Sequence, residues 1–81
     1  MSADMDATSV GVRRADGLVA AARKANPGVE YGRICGVLGS AYQAFLTECE
    51  SCTTRELLTY KIAMARRRFN LDLSEAGLNT M

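Results

Sequence analysis

The chain has 81 residues, 48% of them hydrophobic, with ten lysines and arginines against nine aspartates and glutamates. This length allows one domain, and no apolar run comes near the ~20 residues that would span a bilayer. Histidine is absent, so the commonest general base and metal ligand is missing, and a net charge of +1 argues against a strongly basic, nonspecific binder of polyanions. We therefore expect a soluble domain that is not an enzyme and binds no small-molecule substrate.

The start of the chain and its cysteines predict a reducing compartment. The first ten residues carry acidic side chains where a signal peptide has basic ones. Three cysteines, an odd number, favour free thiols over a disulfide framework. We therefore expect a cytoplasmic protein without membrane association. Because so short a chain builds only a small core, association into homo-oligomers is also expected.

The composition divides the chain into three parts. Residues 1–12 mix small and polar types without an apolar period, which predicts a flexible N-terminal arm. A helical domain is expected over residues 13–70, and a C-terminal tail over 71–81, with at most one weak turn stopped by Gly77. The fold class is therefore predicted to be all-α, a small bundle of three to four helices.

The first helix is predicted to be short and rich in alanine. Leu18, Val19 and Ala22 recur at three- and four-residue steps, as on one face of a helix. The sequence Asn26-Pro27 ends this helix, because the residue before a proline avoids helical backbone angles. Proline suits the first position of a helix, so Asn26 is the expected cap of the second helix.

The second helix has two possible interpretations. Its apolar residues repeat at steps of four, four, three and four, close to a heptad pattern: Ile34, Leu38, Tyr42, Phe45 and Cys49. Unbroken, it forms a long hairpin of residues 28–51 against 53–69, and its glycines let another helix approach closely. The alternative is a break at Gly39, because three glycines lower helix propensity by about 3 kcal/mol.

A capping box predicts the start of the third helix. Thr53 is the expected cap, with Glu56 reaching back to it, and Cys52 and Leu57 are placed as a hydrophobic staple. The helix is therefore expected to start near residue 54. Its apolar stripe is predicted to comprise Leu57, Leu58, Ile62, Ala65 and Phe69.

If the chain turns at Gly39, residues 31–50 resemble a helix-turn-helix DNA-binding module. The residues that match its pattern of apolar and small positions are, in order, Ile34, Cys35, Leu38, Gly39 and Phe45. The resemblance implies that the second of its helices reads base edges with Ser40, Tyr42 and Gln43. Arginines elsewhere would bind phosphates: Arg13, Arg14, Arg33, Arg66, Arg67 and Arg68.

On this resemblance the sequence predicts a small helical DNA-binding or transcription-regulating protein, and the unbroken helix favours an alternative function. A helical hairpin without catalytic residues is typical of a protein-protein interaction module, such as an adaptor, an inhibitor or an assembly subunit, a kind of chain common in phages. The CxxC sequence from Cys49 to Cys52 supplies two thiols, and a zinc site needs four ligands, with Cys35 and a carboxylate left to complete it. We therefore expect partly buried free thiols, with neither a metal nor a cofactor.

Overall fold

The computed structural model describes residues 7–81, which form three α-helices in an up-down-up bundle. The helices are α1 (Ala7–Ala25), α2 (Tyr31–Cys49) and α3 (Arg55–Glu75). Each helix packs against both others, and the bundle measures 44 × 17 × 17 Å. The predicted all-α fold with a hairpin of the last two helices is confirmed. None of the helices in residues 7–81 is long and apolar enough to cross a membrane.

The core has two layers along the bundle axis, and all three helices contribute to each. One layer contains Val19, Ala22, Ile34, Leu38, Ala41, Phe69 and Leu73. The other contains Ala15, Phe45, Cys49, Leu58 and Ala65. Complete burial of a large apolar side chain stabilises a fold by about 1.5–3 kcal/mol, so these residues provide most of the favourable free energy.

Helix α2 runs without a break through Gly39, as its unbroken interpretation predicted. A Cβ atom built on Gly32, Gly36 or Gly39 would meet nothing within 4 Å. The prediction that these glycines let another helix approach closely is therefore wrong within the bundle. The helix persists because its buried apolar row stabilises it by more than the glycines cost in propensity.

The close approach of two helices lies at Gly11 instead. A Cβ atom at this position would lie 2.5 Å from the Cys49 Sγ and 3.2 Å from its Cβ. Residues 7–12 thus belong to α1, so the predicted arm is wrong for that part, and residues 1–6 lie outside the described residues. Helix α1 begins earlier than predicted because a buried glycine carries no apolar signal in the sequence.

Asn26 has a different role from the predicted cap. Helix α2 begins at Tyr31 with Glu30 as its N-cap, so residues 26–30 form a connecting turn. The Asn26 side chain is 4% exposed. Its Nδ2 donates to the carbonyl oxygens of Ala22 and Asn79, each at 2.9 Å, and its Oδ1 accepts from the Asn79 backbone N–H at 2.8 Å. Asn26 therefore fastens the chain end to the end of α1.

Helix α3 starts close to its predicted position but extends further. The cap is Thr54, not Thr53, and its hydroxyl accepts from the Leu57 N–H at 3.0 Å. The buried residues of α3 form its inner row, which consists of Leu58, Ala65, Phe69 and Leu73. Because Leu73 continues this row, the helix runs to Glu75, and the tail predicted from residue 71 is wrong up to residue 75. It ends in a Schellman motif at Gly77, the predicted stop, whose φ is 78°.

The contact at Gly11 predicts that substitution by alanine has opposite effects on stability at two glycines of α1. We expect Gly11→Ala to lower the free energy of unfolding by about 1–3 kcal/mol, because its methyl group would overlap the Cys49 sulfur. Gly17→Ala, at a site with open space, should raise it by about 1 kcal/mol through helix propensity. Urea unfolding followed by circular dichroism measures both. A Cys49→Ala background should reduce the cost of Gly11→Ala, and an undiminished cost there would contradict this contact.

The hydrogen bonds of Asn26 predict that its side chain contributes more to stability than the side chain of Asn79. Asn26→Ala should cost about 2–3 kcal/mol, because it removes three hydrogen bonds and leaves buried groups unpaired. Asn79→Ala removes only an exposed side-chain bond to the Ala25 carbonyl and should cost about 0.5–1 kcal/mol. Equal losses in thermal or urea unfolding would show that Asn26 does not fasten the chain end.

Candidate interaction surface

Helix α3 carries a second apolar row on its outside. This outer seam repeats at steps of three and four residues and consists of Leu57, Tyr60, Met64, Arg67 and Leu71. At 100° per residue, its centre lies about 150° around the helix from the buried inner row. Its apolar members are exposed, from 36% at Leu57 to 58% at Tyr60. The helix is therefore apolar on two faces, and only one of them is covered by the bundle.

The outer seam forms one wall of a groove between α2 and α3. Tyr60, Met64, Arg67 and Leu71 line this α2/α3 groove, which has a volume of about 580 Å³. The opposite wall on α2 is formed by Ala41, Ala44, Phe45 and Glu48. Because two of these are alanines, the wall is low and leaves room for side chains inserted from outside.

The charges around the groove are mostly positive. The Lys61 Nζ lies 3.3 Å from an oxygen of Glu48, and the Arg68 Nε lies 3.4 Å from an oxygen of Asp72. Arg67 makes no ion pair within residues 7–81. Exposed pairs of this kind contribute about 0–1 kcal/mol to stability.

The structure distributes the predicted DNA-binding residues over three helices. Arg13 and Arg14 lie exposed on α1. Arg33 donates to the Ala76 carbonyl at 3.2 Å, so it holds the C-terminal end of α3. Ser40 lies exposed on α2, and Arg66 lies exposed on α3.

The remaining predicted residues gather in two grooves on opposite flanks of α2. Arg67 and Arg68 line the α2/α3 groove, whereas Tyr42 and Gln43 line a groove between α1 and α2. The residues predicted for base edges and the predicted phosphate-binding arginines thus do not form a single face of the bundle.

The groove between α1 and α2 has a volume of about 680 Å³. The Tyr42 hydroxyl donates to the Asp16 carboxylate at 2.7 Å, and this bond raises the pKa of Tyr42 to about 12. The Arg23 guanidinium lies 4.5 Å from the ring centre of Tyr31, whose pKa is raised by the adjacent Cys35 thiol. The polar groups of this groove bind one another, so they join α1 to α2.

The three cysteines are free thiols. Burial raises the pKa of the Cys49 thiol, which disfavours the thiolate that redox chemistry uses. Within the described residues, no three histidine, cysteine or acidic side chains lie together as metal ligands.

Sequence reasoning missed the outer seam, although a signal for it was present. Leu57, Met64 and Leu71 are spaced seven residues apart, as in a heptad repeat. The core stripe predicted from the sequence includes Leu57, which is 36% exposed. The predicted third helix ends near residue 69, which leaves Leu71 in the predicted tail. Both differences separate members of the repeat from one another in the prediction.

Comparison with protein-family models, with curated proteins and with solved structures found no match to this chain.

The bond between Tyr42 and Asp16 predicts a pH dependence of stability. Because the pKa of Tyr42 is raised in the folded state, from 10.0 to about 12, the bond stabilises the fold below pH 10 and this stability is lost as the pH rises toward about 12. Wild type should therefore exceed Tyr42→Phe in free energy of unfolding below pH 10, with the gap closing above it. Tyr60→Phe, at an exposed site, is the control. A gap that stays constant across this range in urea unfolding would contradict the role of Asp16.

Proposed function

We propose that this protein is a non-enzymatic interaction module that binds a helix of another protein in the α2/α3 groove. The observation that carries the proposal is the outer seam, an exposed row of large apolar side chains at heptad spacing. Small domains gain stability from every apolar side chain that they bury. This bundle nevertheless leaves three large apolar side chains of one row more than 40% exposed, Tyr60, Met64 and Leu71. Such contiguous exposure is typical of a binding surface.

The residue types of the seam suit protein recognition. Tyrosine and methionine are enriched in interface cores, where tyrosine adds a hydroxyl to a large apolar ring and methionine adapts its shape. Apolar residues at steps of three and four residues are the pattern by which one helix meets another, either in a coiled coil or as a helix in a groove. The low alanine wall of α2 makes the groove accessible to a partner helix.

The seam is also held in place before a partner binds. Helix α3 is anchored at its start by the Thr54 cap and at its end by the Gly77 turn. Arg33 and Asn26 attach the chain beyond its end to the other helices. A binding surface on an ordered helix avoids the entropy cost of ordering it on association, which favours affinity.

DNA binding is the other candidate function and stays a prediction. The helix-turn-helix resemblance required a turn at Gly39, and α2 is continuous there. Without the turn, Ser40 and Gln43 are exposed on the flank of a long helix, not at the start of a separate recognition helix. The geometry therefore favours a protein partner, while homo-oligomer formation also stays a prediction.

The proposal predicts site-specific crosslinking. With p-benzoyl-phenylalanine in place of Tyr60, irradiation of cells of the source organism should give a discrete protein adduct. The same probe at Arg66, which is exposed on the side of α3 that faces away from the groove, should give little. Met64→Glu and Leu71→Glu should suppress the adduct, because each introduces a charge into the apolar contact. Circular dichroism of the variants checks that they fold.

Two outcomes would contradict the proposal. One is equal adduct formation from positions 60 and 66, or an adduct that Met64→Glu leaves unchanged. The other is binding of a labelled DNA duplex, measured by fluorescence anisotropy, that weakens steeply with salt and is reduced by Arg67→Ala, since that behaviour is the mark of phosphate contacts.

A further inference from the structure

We infer that the partner is an acidic amphipathic helix, which places a carboxylate against Arg67 in the α2/α3 groove. The inference rests on the proposed function and specifies the partner's chemistry from the charges of the groove. Three basic residues line it, Lys61, Arg67 and Arg68, against the single acidic residue Glu48.

Arg67 determines the charge expected of the partner, because it lies within the outer seam. In heptad terms, Leu57, Met64 and Leu71 occupy one core position, and Tyr60 and Arg67 occupy the other. A helix that covers the leucines and methionine would therefore cover Arg67 as well. Burial of an unpaired guanidinium is costly, whereas a carboxylate on the partner can form a bidentate, charge-assisted pair with it. Within residues 7–81 Arg67 makes no ion pair, so its guanidinium is available.

The flanking positions carry the same sign. Lys61 and Arg68 each follow a core residue of the seam directly, in the heptad position from which side chains reach across to a partner helix. The row on the other side of the seam contains Ala63 and Asn70, which are uncharged. Although Glu48 and Asp72 pair with the two flanking cations, both pairs are partly exposed and can be exchanged for a partner's carboxylates.

A second copy of this chain fits the seam poorly. In a parallel pair of seams, each Arg67 would face the other Arg67. In an antiparallel pair, where the two core positions face each other, Arg67 would lie opposite Met64 or Leu57 of the other copy and would be buried without a carboxylate. Like charges meet in the first arrangement and an unpaired guanidinium is buried in the second, so the groove favours a chain of opposite charge.

The test uses two labelled three-heptad peptides, identical except for the residues that flank their leucine and alanine seam. One peptide carries glutamate at these positions and the other carries lysine. Fluorescence anisotropy with the full 81-residue chain should show about tenfold or tighter preference for the acidic peptide at low salt. Met64→Glu should abolish the binding of the acidic peptide.

Arg66 supplies the matched control, since it has the same charge on the same helix but faces away from the groove. Arg67→Glu should weaken binding of the acidic peptide about tenfold and improve binding of the lysine peptide, while Arg66→Glu should change either by less than about threefold. Circular dichroism and urea unfolding confirm that both variants fold.

Several results would overturn the inference. These are absence of acidic-peptide binding up to about 200 µM, equal binding of the two peptides, or equal effects of Arg66→Glu and Arg67→Glu. A wild-type dimer in sedimentation equilibrium that Met64→Glu dissociates would identify a second copy as the occupant. Crosslinking of another protein at position 60 combined with any of the first three results removes only the acidic partner. Loss of that crosslinking, or an adduct that is a dimer of this chain, removes the proposed function itself.

Discussion

The structure depends on the burial of one apolar row along α2 between the other two helices. Ile34, Leu38, Phe45 and Cys49 are each at most 4% exposed, and they contact α1 and α3 in both layers of the core. This burial keeps α2 helical across three glycines and holds the cysteine sulfur against Gly11. Each of the three helices packs on the other two, so none of them can move without loss of core contacts.

The same row explains why α3 has a free apolar face. Only the inner side of α3, from Leu58 to Leu73, can reach the core. Tyr60, Met64 and Leu71 lie on the side that remains outside, where the alanines of α2 form a low opposite wall. The packing thus leaves this face exposed for the proposed partner, and the positive charges beside it favour a partner of opposite charge.

The glycines show how local patterns can be ambiguous. Gly39 could turn the chain, let a helix approach or lie in open space, and the structure has it in open space within a continuous helix. Gly11, which the sequence predicts to lie in a flexible arm, is the glycine at which two helices meet closely. Nothing near either residue in the sequence separates these roles, because they differ in which element lies opposite.

The sequence by itself predicted an all-α bundle of three to four helices, the α2–α3 hairpin and most of the buried residues, because apolar spacing and stop signals act within a few residues of the chain. It also contained the heptad spacing of Leu57, Met64 and Leu71. Only the tertiary structure decided that α3 extends to Leu73 and beyond, that Asn26 binds Asn79, and which apolar row stays outside. The physical reason is that burial is shared among three helices, so a row becomes core or binding surface according to what packs against it.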